Sequence, residues 1–491
     1  MELRLLTVSG LVLLAAAVPL VGGALCGLII ALQLVLIVIR PIAAHLPGQT
    51  GASRPAQERP QFSVHVATHA EPPALVIRTL KALLAQDWPA NGYEIIVMDN
   101  NTADEALWKP VETFCAAHSD RVKFLHRNNV EGAKAGALNI ALAHTGPAAT
   151  HIVTVDADYV VRPDFLMLAA GALNRTGADY VQFPQSYLGA ASIASGVDAE
   201  LEEYFRTNAV VAGEAEAVLL TGTLCVISKT ALNAAGGWSG RTTTEDAELG
   251  VRLCNSGYAG RFIHQIVGQG LLPFCLKDLE KQRYRWCSGN FQTLLHHFGT
   301  ILTPNGSLTL AKRVVILSQL TAWLNLALLP CALLLIWLVT GQANSVAAML
   351  AAGGIVLSLC DVVVRVTGRA LRDRLAPRVT LHALACRIAL APQSARATFD
   401  ALCGGRLNFI VTDKSGAKSG ARGGAVGGLY LCHSLLFAIA FAVLFTSQPV
   451  NFLIVAGLLS LMLPLPAAWI TDRSLRSYYQ AIVAAPKEVT R

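Results

Sequence analysis

Charged residues are scarce in this sequence of 491 residues: Asp, Glu, Lys and Arg make up 14%, whereas 53% of the residues are hydrophobic. The mean hydropathy of +0.48 excludes a purely soluble protein and indicates several membrane spans. The eleven cysteines include no Cys-x-x-Cys pair, so zinc-ligand spacing is absent and we interpret them as reduced, mostly packed residues. The polar segment carries no basic stripe, which argues against nucleic acid as a partner.

Long apolar runs lie towards both ends of the sequence. The first, Leu5–Ile39, is too long for one span of about 20 residues, and Pro19 and Gly22-Gly23 near its middle predict a helical hairpin. Lys and Arg are concentrated in the links on one side of the apolar runs, so the positive-inside bias predicts that both termini and the intervening polar segment are cytoplasmic. Four later runs raise the expected total to six spans: Val314–Val339, Val346–Val364, Leu429–Phe445 and Phe452–Ile470.

Strand and helix patterns alternate in the segment between these apolar regions. Alternation at this spacing predicts βαβ units and a mainly parallel sheet. Ligands of such sheets bind beyond the carboxyl ends of the strands, and Asp99 and Asp156 follow two of the strand patterns there. The strand patterns are Phe62–Ala67, Tyr93–Met98, Val122–Leu125 and His151–Val155.

Four motifs follow one another through this segment and end just before an apolar run. They are Asp99, Asp156-Ala157-Asp158, Thr244-Glu245-Asp246 and Gln282-Arg283-Tyr284-Arg285-Trp286. In this order they resemble the D, DxD, TED and QxxRW motifs of processive family 2 glycosyltransferases of the bacterial cellulose synthase and curdlan synthase type. The resemblance implies a Rossmann-like α/β domain of the glycosyltransferase A type, cytoplasmic, with a mainly parallel sheet, inserted between transmembrane helices.

The paired aspartates suit a cation site. A divalent cation, Mg²⁺ or Mn²⁺, held by Asp156 and Asp158 would neutralise the diphosphate leaving group of a nucleotide sugar. The alternative is a solvated acidic turn. The resemblance implies that Asp99 binds the nucleotide and that the pair binds both nucleotide and metal. Cellulose synthases commonly carry His after this motif, so Tyr159 removes an imidazole ligand from the expected set.

Inverting sugar transfer needs a base that accepts the proton of the acceptor hydroxyl. The resemblance implies this role for Asp246, with Glu245 beside it in the catalytic motif. An ordinary helix start is the alternative, because Thr242 and Glu245 have capping-box spacing and acidic residues favour helix N-termini.

The Gln282–Trp286 motif is predicted to lie on one helix. A guanidinium such as Arg285 can hold a pyrophosphate, and the indole of Trp286 offers an apolar face to a sugar ring. The resemblance implies that Gln282 and Arg285 contact the nucleotide and that Trp286 binds the end of the growing polymer. The alternative is an ordinary interfacial helix, since Arg, Trp and Tyr are common at membrane boundaries.

A further match, Phe409–Lys414, resembles the FxVTxK gating loop of bacterial cellulose synthase-like enzymes. It implies that Thr412 and Lys414 reach the diphosphate and close the site against water; an ordinary basic loop is the alternative. Shorter matches imply nucleotide contacts at Thr68, Glu71 and Lys134, and sugar or acceptor contacts at Gln185, Thr221, Gly222 and Thr223. Packing or turn structure explains the shorter matches equally well.

The expected organisation places the transfer domain between two sets of membrane helices. Polar residues in spans rarely face lipid, so Gln319, Trp323, Asn325 and Asp361 are candidates for lining a polymer channel. The predicted segments are a hairpin at 1–47, a linker at 48–60, the glycosyltransferase domain at 61–272, interfacial helices at 273–312, spans at 313–366, an interfacial segment with the gating loop at 367–428, spans at 429–471 and a tail at 472–491.

The function expected from the resemblance is processive, inverting synthesis of a β-glucan from UDP-glucose at the bacterial inner membrane. The expected partners are UDP-glucose, the growing glucan, the lipid bilayer and periplasmic export subunits. The stretch Asp99–Glu112 differs from the D-D-G pattern of cellulose synthases and favours a curdlan-like β-1,3-glucan. The alternatives are a β-1,4 or mixed-linkage glucan, a non-processive transferase with a lipid acceptor, and a transporter or receptor with a nucleotide-sensing domain.

Overall fold

The computed structural model describes residues 2–45, 59–303, 308–342, 345–404 and 451–484. The gating-loop match Phe409–Lys414, with its predicted ligands Thr412 and Lys414, lies outside these residues, as does the apolar run Leu429–Phe445.

A seven-stranded sheet forms the centre of the α/β domain, in the order β3-β2-β1-β4-β7-β6-β8. Strands β1 to β4 are parallel to their neighbours within this group, whereas β7 runs antiparallel to β4 and β6. The prediction of a mainly parallel sheet is therefore confirmed, with one reversed strand. The strands are β1 Phe62–Thr68, β2 Tyr93–Asn100, β3 Val122–Arg127, β4 His151–Thr154, β5 Val160–Val161, β6 Tyr180–Gln182, β7 Cys225–Ser228, β8 Gly260–Phe262 and β9 Gly268–Gln269.

Helices cover both faces of the sheet, as a parallel sheet requires. In β2, Ile95 and Val97 pack into the core on one face, and Ile96 and Met98 pack against α5 on the other. The helices of this domain are α3 Pro73–Leu84, α4 Glu105–Ala116, α5 Ala133–Ala143, α6 Phe165–Thr176, α7 Ala190–Ile193, α8 Ser195–Tyr204, α9 Val210–Glu214, α10 Lys229–Ala234 and α11 Glu245–Asn255.

The remaining helices precede or follow the α/β domain. They are α1 Glu2–Ala17, α2 Pro19–His45, α12 Leu276–His296, α13 Phe298–Leu302, α14 Leu310–Leu320, α15 Leu328–Val339, α16 Val346–Arg372, α17 Pro377–Leu402, α18 Phe452–Met462 and α19 Pro464–Ala484. Among the residues that the structure describes, three stretches are helical, long and apolar enough to cross a membrane: Pro19–Ala43, Val346–Arg372 and Phe452–Ile482. The shorter apolar helices Arg4–Ala17 and Leu328–Val339 coincide with other predicted runs.

The apolar run Val314–Val339 is not the continuous helix that its hydropathy predicts. It is divided into α14 and α15 because α14 belongs to the core of the α/β domain, where Ile316 is buried. Gln319 is also fully buried there: its Nε2 donates to Ala217 O at 3.0 Å, and its Oε1 accepts from Leu219 N at 2.8 Å. The prediction that Gln319 lines a channel is therefore wrong.

Helix α8 carries three glutamates that pair with arginines of other helices. Glu200 accepts hydrogen bonds from Arg283 of α12 at 2.7 and 2.9 Å and from Arg387 of α17 at 2.7 Å. Glu203 also pairs with Arg387, at 3.3 Å. Glu202 pairs with Arg369 of α16, at 2.7 Å. These contacts fix the α/β domain against three of the helices that follow it.

We expect Glu200→Ala to destabilise the protein strongly. Glu200 and Arg283 are both 1% exposed, and removal of one partner of a buried pair leaves the other charge buried and uncompensated, at a cost of about 3–5 kcal/mol. Thermal unfolding of the purified protein in lipid measures the change. The control is Glu105→Ala, which removes the exposed Glu105–Lys109 pair and should cost no more than about 1 kcal/mol. Equal effects of the two substitutions would contradict the prediction.

Candidate active site

A cavity of about 440 Å³ opens at the carboxyl ends of β1, β2 and β4. β1 lies between β2 and β4, so the strand order reverses at β1. Ligands of such folds usually bind at this topological switch point. Most of the predicted site residues line it: Thr68, Glu71, Lys134, Asp156, Asp158, Gln185, Thr221, Gly222, Glu245, Asp246, Gln282, Arg285 and Trp286.

Thr223 and Asp99 do not line this cavity, although both were predicted as contacts. Thr223 is fully buried, and its Oγ1 accepts a hydrogen bond from Asp156 N at 3.0 Å. It therefore fixes the backbone of Asp156 without reaching the cavity.

Asp99 is 3% exposed. Its Oδ1 accepts from Thr68 and Thr102, both at 2.9 Å, and its Oδ2 accepts from His126 Nδ1 at 2.8 Å. Trp108 stacks on the His126 ring with a centroid distance of 4.3 Å. Asp99 therefore connects the carboxyl end of β2 to those of β1 and β3 through hydrogen bonds behind the cavity wall.

Lys134 lies at the centre of the site. Its Nζ donates to Asp156 Oδ1 at 2.6 Å and to Gly222 O at 2.9 Å, and it lies 3.9 Å from Glu245 Oε1. Burial alone would lower the pKa of Lys134, but the carboxylates of Asp156, Glu245 and Asp246 outweigh it and raise the pKa above its usual range. The ammonium is therefore permanently charged and suited to a phosphate ligand.

Asp246 lies in the first turn of α11 and faces the cavity. Burial, and then the charge of Glu245, raise the pKa of Asp246 to about 7 against the opposing effect of Lys134. A carboxyl with this pKa is well matched to accept a proton at neutral pH. The capping-box alternative fails, because the N-cap is Thr244 without a side-chain cap and Thr242 Oγ1 donates to Thr244 O.

Gly222 forms the floor beneath Asp246. Its φ of +82° is a left-handed conformation that suits glycine, and a Cβ there would lie 2.7 Å from Asp246 Oδ2 and 3.3 Å from Lys134 Nζ. Any side chain would push the candidate base and its neighbouring cation out of position.

Gln282, Arg285 and Trp286 lie on one face of α12, at spacings of three and four residues, and all line the cavity. Gly289 allows α12 to approach the loop before α11, since a Cβ there would lie 2.6 Å from Thr244. Arg283, within the same motif, points the other way to Glu200 and is 1% exposed. Within one motif, three residues therefore line the cavity and Arg283 anchors the helix to α8. The sequence alone did not distinguish these two roles.

Two smaller cavities, each of about 50 Å³, both border Trp323. The first shares Thr221, Asp246 and Trp286 with the main cavity and extends to Trp323. The second lies between α2 and α16, again includes Trp323, and is lined by Asn325 and Asp361. Three of the four predicted channel residues, Trp323, Asn325 and Asp361, therefore line one or both of the smaller cavities.

The donor set near β4 suits a cation bound together with a diphosphate. No group of three or more His, Cys, Asp or Glu that could hold a metal occurs among the residues that the structure describes. Asp156 and Asp158 both line the cavity, and Asp158 Oδ2 accepts from Leu271 N at 3.2 Å. One or two carboxylates plus substrate phosphates form a common Mg²⁺ site, so these residues fit such an ion.

Two family models match the chain: "Glycosyl transferase family 2" over residues 63–232 and "Glycosyl transferase family group 2" over residues 151–357. The chain is 29% identical to the cellulose synthase catalytic subunit [UDP-forming] of Xanthomonas axonopodis pv. citri (strain 306), over 48% of this chain and 33% of that protein. It is 27% identical to the probable glucomannan 4-beta-mannosyltransferase 9 of Oryza sativa subsp. japonica, over 49% of this chain and 46% of that protein. The chain thus matches less than half the length of either relative.

Among solved structures, the mannosyltransferase PcManGT from Pyrobaculum calidifontis, in complex with GDP-Man and Mn²⁺, aligns with a TM-score of 0.54 at 18% identity. The alignment covers 78% of this chain and 99% of that chain. At this identity the likeness establishes a shared fold.

The chain therefore carries a family 2 glycosyltransferase domain with a glycosyltransferase A-type fold. Within that family its relatives include cellulose synthase catalytic subunits, and the resemblance predicted from the four motifs is confirmed.

We expect Gly222→Ala to lower turnover by at least about tenfold, because a displacement of the base by less than 1 Å is enough for such a loss. The initial rate of nucleotide release measures the effect. Gly299→Ala is the control, since a Cβ at Gly299 meets no atom within 4 Å. Unchanged turnover in Gly222→Ala would show that Asp246 does not need its present position.

Proposed function

We propose that this chain transfers glucose from UDP-glucose to the end of a growing β-glucan and exports the product through its membrane helices. The observation that carries the proposal is the composition of one cavity: a carboxylate with a pKa near 7, a half-buried ammonium, a pair of aspartates and a tryptophan all face it. A base, phosphate ligands and a sugar platform are the parts that inverting transfer requires.

The diphosphate of the donor fits beside Lys134, whose charge is held by the surrounding carboxylates. Arg285, on α12, adds a second cation to the cavity wall. Asp156 and Asp158 would hold a Mg²⁺ or Mn²⁺ ion, which neutralises charge on the leaving nucleotide when bound. The donor sugar then extends towards Thr221, Gly222 and Asp246.

The acceptor enters from the side of Trp286. Its sugar ring stacks on the indole, with the attacking hydroxyl directed at Asp246, which accepts the proton as the glycosidic bond forms. The two smaller cavities, which both border Trp323, mark the proposed route of the elongated product from Trp286 towards α2 and α16. The three membrane-length helical stretches in the described part of the chain support a membrane location. A cytoplasmic active site, six spans and periplasmic export subunits complete the proposal.

We favour a β-1,3 linkage because Asp99–Glu112 departs from the D-D-G pattern of cellulose synthases. A β-1,4 linkage is the second candidate, since the names of the relatives specify cellulose and 4-beta-mannan chemistry. Purified protein in lipid, supplied with a panel of UDP- and GDP-sugars and Mg²⁺ or Mn²⁺, tests the proposal. Digestion of the product with linkage-specific glucanases separates the linkages. Absence of a polymer with every donor, or full activity after thorough chelation, would contradict the corresponding part.

The proposed base makes the reaction pH-dependent. Because Asp246 must be deprotonated and its pKa is about 7, kcat/KM for the donor should rise about tenfold per pH unit up to pH 7 and then level off. Asp246→Asn should retain UDP binding and lose about 10²-fold or more in turnover. A flat profile between pH 5 and 8, or an active Asp246→Asn variant, would refute the assignment.

Trp286→Ala should leave UDP affinity near normal and abolish long products, because loss of a stacking platform removes about 0.5–1.5 kcal/mol of acceptor binding and the alignment of the attacking hydroxyl. UDP binding and product length are measured in the same lipid. Trp469→Ala, at a 58% exposed position of α19, controls for a tryptophan that only anchors a helix. Products of unchanged length and rate from Trp286→Ala would assign Trp286 to anchoring alone.

A further inference from the structure

His69, at the end of β1, has a defined tautomer. Its Nδ1 lies 2.6 Å from the carbonyl oxygen of Asn100. A carbonyl oxygen only accepts hydrogen bonds, so Nδ1 carries the proton, and in the neutral imidazole Nε2 is left as an acceptor. His69 lines the main cavity, and no hydrogen bond to its Nε2 occurs within the described part of the chain.

The segment around His69 is held from two sides. Ala70 has a φ of +52°, an uncommon conformation for a residue with a Cβ, and its N donates to Thr102 Oγ1 at 2.8 Å. Thr102 in turn donates to Asp99, and Asn100 Nδ2 donates to Thr68 O at 2.8 Å. Such strain persists only where the surroundings fix it, and it is typical of ligand sites. The imidazole is therefore presented in one orientation.

The two ends of the main cavity have different chemistry. Asp246 and Trp286 mark the reaction end, because the adjoining smaller cavity shares these residues and none from the ends of β1 and β2. Lys134 marks the phosphate position between the ends. A nucleotide sugar with its sugar at Asp246 and its diphosphate at Lys134 extends its nucleoside towards His69.

We propose that His69 Nε2 accepts a hydrogen bond from the ring N–H of the donor's nucleobase and so selects uracil or guanine over cytosine and adenine. Uracil and guanine carry a hydrogen on this ring nitrogen, whereas in cytosine and adenine the corresponding nitrogen is itself an acceptor and would face Nε2 without a proton between them. This assignment rests on the proposed nucleotide-sugar function. It gives Asp99 a positioning role, since Asp99 orders Thr102 and the segment that holds His69.

The test compares nucleotide affinities in the full-length protein in lipid. Dissociation constants for UDP, GDP, CDP, ADP and N3-methyl-UDP are measured for the wild type, for His69→Phe and for a control. His69→Phe keeps an aromatic ring and removes the acceptor. The control, His144→Phe, removes an exposed imidazole whose Nδ1 also donates to a backbone carbonyl, Ile140 O at 2.8 Å, away from the cavity.

We expect the wild type and His144→Phe to bind UDP about tenfold more tightly than CDP or N3-methyl-UDP, the effect of one hydrogen bond in a partly buried site. In His69→Phe these ratios should fall to near one. A ratio measured within one variant does not depend on the fraction of protein that is correctly folded.

A preference for UDP that survives in His69→Phe would overturn the role of His69 and leave the UDP-glucose proposal intact. A His69-dependent preference for GDP with no binding of UDP would uphold the role of His69 and overturn UDP-glucose as donor. Equal binding of all the nucleotides by the wild type, or binding of none, would overturn the inference.

Discussion

Glu200, Glu202 and Glu203 lie on the ten-residue helix α8, and their arginine partners come from α12, α16 and α17. Replacement of a buried ion pair by apolar residues often costs nothing, so such pairs are weak evidence for stability. They do impose a strict geometry, because each guanidinium must find its carboxylate. The relative position of the α/β domain and the later helices depends on this register.

The same arginines determine the environment of Trp323. The guanidinium carbon of Arg283 lies 3.8 Å from the Trp323 ring centroid, and that of Arg387 lies 4.4 Å from it. Tyr204, the last residue of α8, stacks on the same indole at 5.7 Å. Since Trp323 borders both smaller cavities, the ion pairs that fix the domain also fix the side chain that these two cavities share.

Sequence patterns predicted the sheet because strand and helix periodicity depends on short-range rules, whereas most residues of the cavity wall were named only through the resemblance to the glycosyltransferase motifs. Residues 95–98 are apolar because the sheet is covered on both faces, and Asp156 and Asp158 follow β4, where α/β folds bind ligands. Hydropathy failed at 314–339, since a helix buried in a domain core and a membrane span are equally apolar. Only the hydrogen bonds of Gln319 to Ala217 and Leu219, about a hundred positions away in the chain, identify this helix as part of the domain core.

Other features of the site could not be predicted from the sequence, because they depend on the direction in which a side chain points. Asp99 follows its strand as the motif requires, yet three donors enclose its carboxylate below the wall. Arg283 lies inside a recognised motif and faces away from the cavity. His69 directly follows β1 in the sequence, but its tautomer follows only from the position of Asn100 O.

The position of α8 in the chain has a practical consequence for dissecting the molecule. α8 lies between β6 and β7, two adjacent strands of the central sheet, so no excised domain can keep the sheet and omit this helix. Arg206, which pairs with Glu202, would be kept in a fragment that ends at residue 272, but the arginine partners at positions 283, 369 and 387 all follow that residue. A fragment ending there would expose the acidic face of α8 to solvent and remove the α12 wall of the cavity, so its ligand affinities would describe a different site.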